Sequence, residues 1–69
     1  MSDSVYKIIE LIGTSETSWE EAASNALEQA RRELDDLRIA EVVMQDLKLE
    51  DGKVVAYRTK IRVSYKFAD

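Results

Sequence analysis

The longest regular pattern in the chain runs from Ala56 to Phe67, where side chains of opposite character alternate at every residue. Tyr57, Thr59, Ile61, Val63, Tyr65 and Phe67 share one face, and Ala56, Arg58, Lys60, Arg62, Ser64 and Lys66 share the other. Strand side chains switch faces at each residue, so the pattern predicts one long strand from Val54 to Phe67 with a core side and a basic side. Leu37 to Leu49 predicts a second strand. It places Ile39, Glu41, Val43, Gln45, Leu47 and Leu49 on one face, and Arg38, Ala40, Val42, Met44, Asp46 and Lys48 on the other. Between them, Glu50-Asp51-Gly52-Lys53 reads as a hairpin turn, because Asp-Gly supplies the positive φ angles that short loops require.

Val5 to Ile12 is β-branched and nearly continuous, which predicts an earlier strand with Lys7 and Glu10 on opposite faces. Gly13 is expected to end it, and Thr14 to Thr17 to form a polar connection. Ser18-Trp19-Glu20-Glu21 then matches a capping box, with Ser18 accepting from the Glu21 amide and Glu21 reaching back to the Ser18 amide. A helix is expected from Trp19 to Leu34, with Ala23, Ala26, Leu27, Ala30 and Leu34 as its buried stripe. Glu20 and Glu21 suit the positive end of its dipole, and Arg31 and Arg32 the negative end. Asp35 and Asp36 fit neither and are placed at or beyond the helix end. Trp19 is expected to pack over a sheet edge or to line a channel between copies. The order is β-α-β-β, an α+β fold in which a three-stranded antiparallel sheet packs on one helix, in one domain spanning 1–69.

The chain is short, at 69 residues, and has neither Cys nor His. A domain of about 60 residues buries only about 60% of its unfolded surface and is marginal alone. Disulfides and thiolate metal sites are excluded, which leaves self-association, or else unusually good packing, as support. The four cations of the Arg58-to-Lys66 face are expected to be neutralised against copies of the same chain, and the partly apolar face carrying Ile39, Val43, Leu47 and Leu49 to meet such copies. A net charge of −4 argues against nucleic acid as a partner. No apolar run approaches the ~20 residues of a membrane span, and the N-terminal residues lack the basic and apolar regions of a leader. A cytoplasmic protein is expected. No nucleophile–base pair, phosphate loop or spaced acid pair points to catalysis.

The β-α-β-β order, Gly13-Thr14-Ser15 after the first strand, Ala40-Glu41-Val42 opening the second and the charged-alternating third strand together resemble the dodecins, over nearly the whole chain. The resemblance implies a hollow homo-dodecamer that holds flavin (riboflavin or FMN) between symmetry-related subunits. In that family a Trp on the second strand stacks on the flavin and a Gln on the third holds the polar edge of its ring. The matching positions here are Ile39 and Arg58, with Glu41 and Gln45 counted around the same pocket. Ile39 has no π face to stack, and Arg58 only donates hydrogen bonds where an amide also accepts. The chain is similar to the subgroup with an aliphatic residue and an Arg at these places, to which the calcium dodecins belong.

Two functions follow as expectations. The first is a non-enzymatic, oligomeric small-ligand binding or storage protein with flavin binding weakened or lost. The second is a calcium-binding or purely structural shell. Arg58 either holds an anionic ligand or pairs with an acid such as Glu41. Asp46, Glu50 and Asp51 are the calcium candidates, with Asp35 and Asp36 a separate pair. Calcium takes about 6–8 oxygens, so copies around an axis would have to complete such a site; the alternative is a solvated acidic turn.

Overall fold

The elements follow one another as β1 (Val5–Ser15), α1 (Trp19–Glu33), β2 (Leu37–Glu50) and β3 (Lys53–Ala68) in the computed structural model, which describes residues 4–68. Met1, Ser2 and Asp3, at the start of the segment read above as lacking a leader, lie outside the described residues. The sheet order is β1-β3-β2, and both pairings are antiparallel. The strongly alternating strand is therefore the central one. The fold class expected from the sequence is the one observed.

β1 does not stop at Gly13. Thr14 and Ser15 stay on the ladder opposite Arg58 and Tyr57, and Asn25 of α1 donates to the Thr14 carbonyl at 2.9 Å. Pairing with the long β3 holds two polar residues in strand form where local composition alone suggests a loop. At the other end of the sheet, Asp51 and Gly52 both have positive φ, 52° and 76°, so the hairpin is the two-residue turn expected of Asp-Gly.

Facing residues on paired strands share a side of the sheet. Val63, Ile61 and Thr59 are fully buried and are flanked on β1 by Ile9, Leu11 and Gly13. α1 lies over this side, and Ala22, Ala26 and Ala30 are the helix residues buried there, with Ala23 and Leu27 partly buried. The buried stripe thus sits one position from the expected one at its start: Ala22, not Ala23, faces fully inward. Phe67 departs from the expected core. It is 56% exposed, because an extra residue between the pairs Tyr6–Lys66 and Val5–Ala68 breaks the alternation, and the Lys7 ammonium lies 4.0 Å from its ring centroid.

β2 also breaks strict alternation. Its pairing with β3 slips between Leu37 and Ile39, between Val42 and Met44, and between Lys48 and Leu49. A one-residue slip moves every following side chain to the other face. Leu37, Ala40, Val42, Gln45 and Leu47 consequently oppose the helix-side residues of β3, whereas Ile39, Glu41, Met44, Asp46 and Lys48 oppose its basic side. The expected grouping of Ile39 and Glu41 with Gln45 and Leu47 is corrected accordingly.

The helix start is built differently from a capping box. Ser18 Oγ accepts from the Glu21 amide at 3.0 Å, as expected. Glu21, however, accepts from the Ser15 hydroxyl at 2.6 Å. The same Ser15 oxygen accepts from the Thr17 and Ser18 amides at 2.9 and 3.3 Å. The extension of β1 to Ser15 brings that hydroxyl within reach, so Glu21 satisfies the loop through a side chain. At the other end Leu34 caps the helix and its amide donates to Ala30. Asp36 follows with a positive φ of 61°, and its carbonyl accepts from the Lys66 amide at 3.2 Å. That bond ties the connection to β3.

Candidate functional site

With α1 on one side, the sheet presents its other side openly. Reading across the three strands, Ile8, Ser64 and Ile39 form one row; Glu10, Arg62 and Glu41 the next; then Ile12, Lys60 and Met44; then Thr14, Arg58 and Asp46. Isoleucines on the edge strands thus interleave with a cationic central strand. Ile39 is 67% exposed, and Ile8 and Ile12 are similarly open.

Three cations of this face, Arg58, Lys60 and Arg62, are neutralised within one chain. Arg62 donates twice to Glu10, at 2.8 and 3.1 Å, and its Nη1 lies 3.7 Å from Glu41. Lys60 Nζ lies 3.7 Å from the same Glu10. The hydrogen bond from Arg62, and then the nearby charge of Lys60, hold the Glu10 carboxyl below the usual range. Arg58 donates through Nε and Nη2 to the two oxygens of Asp46, at 2.7 and 2.8 Å. That bidentate bond likewise holds Asp46 below the ordinary carboxylate range. The expectation that these cations wait for acids of neighbouring copies is therefore corrected for Arg58, Lys60 and Arg62.

The partner of Arg58 is Asp46, not Glu41. Strict alternation puts Glu41 and Asp46 on opposite faces; the extra residue between Val42 and Met44 brings both to the open face, Glu41 opposite Arg62 and Asp46 opposite Arg58. The sequence signal for this contact was available only in the acid–base complementarity of the two strands. Asp46 is also fixed through its backbone: Trp19 Nε1 donates to its carbonyl at 3.0 Å. Trp19 packs edge-on against Tyr57, with centroids 5.2 Å apart, and its own carbonyl accepts from the buried Thr59 hydroxyl at 2.9 Å. The first residue of α1 therefore reaches across β3 to the edge strand, as expected of a Trp lying over a sheet edge.

The four ligand positions are not brought together. Ile39 lies opposite Ser64 and Arg58 opposite Asp46. They are on the same face but separated by six residues of β3, about 20 Å at strand rise. Glu41 shares the face, near Arg62. Gln45 lies opposite Thr59, on the helix side. Nor do the calcium candidates converge in one chain. Asp46 is engaged by Arg58, Glu50 pairs opposite Lys53 beside the turn, and no group of three or more acidic side chains placed to hold a metal occurs among the described residues. An open cleft of about 520 Å³ at the end of α1 is lined by Leu27, Leu34, Leu37 and Ile39 among others. Of its charged groups, Arg31 is engaged with Glu28 and Asp36 with Arg38, and Asp35 lines the cleft beside them. No helix of the described residues is long and apolar enough to cross a membrane.

Comparison with known proteins agrees with this architecture. Calcium dodecin of Mycobacterium tuberculosis is 49% identical over 63 residues, covering 91% of this chain and 89% of its own. Its crystal structure, that of a calcium-chelating antigen with a calcium-binding site, superposes with a TM-score of 0.84 over 93% of this chain and 91% of that one. The dodecin of Streptomyces davaonensis is 25% identical with a TM-score of 0.89, over 99% of this chain and all of the other. A Thermus thermophilus protein is 33% identical with a TM-score of 0.88, over 97% and 98% of the two chains. The dodecin family model matches residues 5–68, the whole of the helix-backed sheet just described, and the chain belongs to the dodecin family.

Proposed function

We propose that the protein is a non-enzymatic dodecin that assembles with copies of itself into a homo-dodecamer and holds a small ligand between them, with flavin binding weakened or lost. The observation that carries this reading is the open face. Ile8, Ile12 and Ile39 stand exposed on it, beside cations whose charges the chain has already balanced. A broad, partly apolar surface whose arginines are already paired is built to be covered. Because Ile39 and Arg58 lie far apart on that face, a ligand touching both positions needs more than one copy.

The weakened flavin affinity is supported by two features. Ile39 offers no ring to stack, and the Arg58 fork is occupied by Asp46. Titrating riboflavin while following quenching of its fluorescence tests this; tight binding at one flavin per subunit overturns it. Native mass spectrometry of the freshly purified protein reads subunit number and retained ligand together. A well-folded monomer in dilute solution would sink the assembled reading. A chain free of cysteine fits a cytoplasmic setting.

The similarity to calcium dodecin favours a second reading, a calcium-binding or structural shell. On that reading Asp46, Glu50 and Asp51 contribute from several copies at once. An occupied site stabilises the assembly by about 2.7 kcal/mol at a hundredfold excess over the dissociation constant. Thermal unfolding with and without a chelator, alongside elemental analysis, decides it; no shift and no metal leave the organic-ligand reading alone.

A further inference from the structure

We propose that Asp46 is the selectivity residue of the open face: its carboxylate serves as a built-in counter-anion for Arg58 and so turns away ligands that carry phosphate or carboxylate groups. The inference rests on the reading of that face as the ligand-binding surface, and it names the class of ligand admitted there, an uncharged heterocycle.

An unoccupied Arg58 would be a strong oxyanion binder, since a planar guanidinium presents parallel donors to phosphate or carboxylate. Here two of those donors already meet separate oxygens of Asp46 at 2.7 and 2.8 Å. The carboxylate is not free to drift away. Asp46 lies directly opposite Arg58 in the ladder, and its backbone carbonyl accepts from Trp19 Nε1. Tyr57 and Thr59 in turn hold Trp19. Even a short flexible tether gives an effective concentration on the order of mM. A cross-strand neighbour whose backbone is fixed in the ladder exceeds that, so an anion at lower concentration is outcompeted at the fork.

The rest of the face follows the same logic. Lys60 and Arg62 are matched by Glu10 and Glu41. The rows next to Arg58 therefore offer Ile12, Met44 and the paired Lys60 side chain, which suit a flat, apolar and uncharged ring. Removing the Asp46 charge uncovers the Arg58 guanidinium one row from Lys48, which lies opposite Ala56 on the same face.

The test uses the full-length assembled protein, titrated with inorganic phosphate while the arginine Nε–H resonances are followed by NMR, and separately with riboflavin and FMN by fluorescence. The unaltered protein should show no response at Arg58. Asp46→Asn should bind phosphate at Arg58, and its preference for FMN over riboflavin should rise about tenfold, or ~1.4 kcal/mol. Arg58→Gln added to Asp46→Asn should abolish the response. Asp46→Ser removes the same charge with a smaller side chain and should behave as Asp46→Asn does. The proposal is overturned if neither variant responds to phosphate, if the unaltered protein responds equally, or if both variants fail to fold, which would make Asp46 a structural residue. A phosphate response at Arg58 without binding of either flavin keeps the selectivity role and removes the flavin-like ligand from the proposed function.

Discussion

Gly13 lies so close to Ala22 that a Cβ built on it would sit 1.9 Å from the Ala22 carbonyl oxygen and 3.0 Å from the Ala26 Cβ. The requirement is space, since Gly13 lies outside the left-handed region of backbone conformation. Small residues on both partners let α1 descend onto the sheet until Ala22 is fully buried and Ile61 and Val63 are covered. Gly13→Ala must therefore lift the helix or break the end of β1. Ordinary overpacking costs about 1–3 kcal/mol, and a collision with backbone lies at or above the top of that range. Chemical denaturation should show the loss; a variant as stable as the parent would mean that the helix can shift without penalty.

The Ser15 hydroxyl is the hub of the loop before α1, accepting from two amides while donating to Glu21. Ser18 satisfies only the Glu21 amide. Ser15 is buried, and its loss leaves several groups unpaired at about 1–3 kcal/mol for such groups. Loss of an N-cap serine costs about 1 kcal/mol. Ser15→Ala should thus lower the melting temperature more than Ser18→Ala. The reverse ranking would show that the capping contact outweighs the hub.

The central strand was legible from its sequence because it carries the core. Thr59, Ile61 and Val63 alternate without interruption and are all fully buried. The hairpin was legible because its turn needs particular residues. β2 was not, since its faces depend on where an extra residue enters the ladder, and a slip between Val42 and Met44 leaves no mark in composition. For that reason strict alternation separates Asp46 from Glu41 and groups Gln45 with Ile39, whereas the ladder does the reverse. The Ser15–Glu21 contact was hidden for a related cause: it depends on β1 continuing past Gly13, which β3 enforces from far along the chain.

The carboxylates of Glu10, Asp46 and Asp36 all sit below their ordinary range, chiefly through hydrogen bonds from Arg62, Arg58 and Arg38 respectively. A group whose folded pKa is depressed binds its proton more readily in the unfolded chain. Its contribution is complete above the unfolded value, near 4, and is lost as pH falls through the lower folded value. Stability should hold through neutral pH and decline only on the acid side. These pairs are open to solvent, so added salt should weaken the effect. Unfolding followed across pH checks it: Glu10→Gln and Asp46→Asn should flatten the acid limb, whereas a decline already under way at pH ~6 would point to other groups.

On the proposed function, Ile39 and Arg58 take the places that the dodecin resemblance gives to an indole and an amide, and both lie on the face opposite α1. Replacing both, as Ile39→Trp with Arg58→Gln, supplies a stacking surface at a position already 67% exposed. It also supplies a side chain that accepts as well as donates. Aromatic stacking is worth about 0.5–1.5 kcal/mol beyond area burial, and a neutral hydrogen bond about 1 kcal/mol. Asp46 loses its partner in this variant, but as a half-exposed carboxylate it remains solvated. The expected outcome is a gain of about tenfold or more in riboflavin affinity, read as fluorescence quenching on protein whose assembly is checked by native mass spectrometry. Single variants should each recover part of it. A double variant that assembles normally and binds no better than the parent would place the ligand elsewhere than between Ile39 and Arg58 of neighbouring copies.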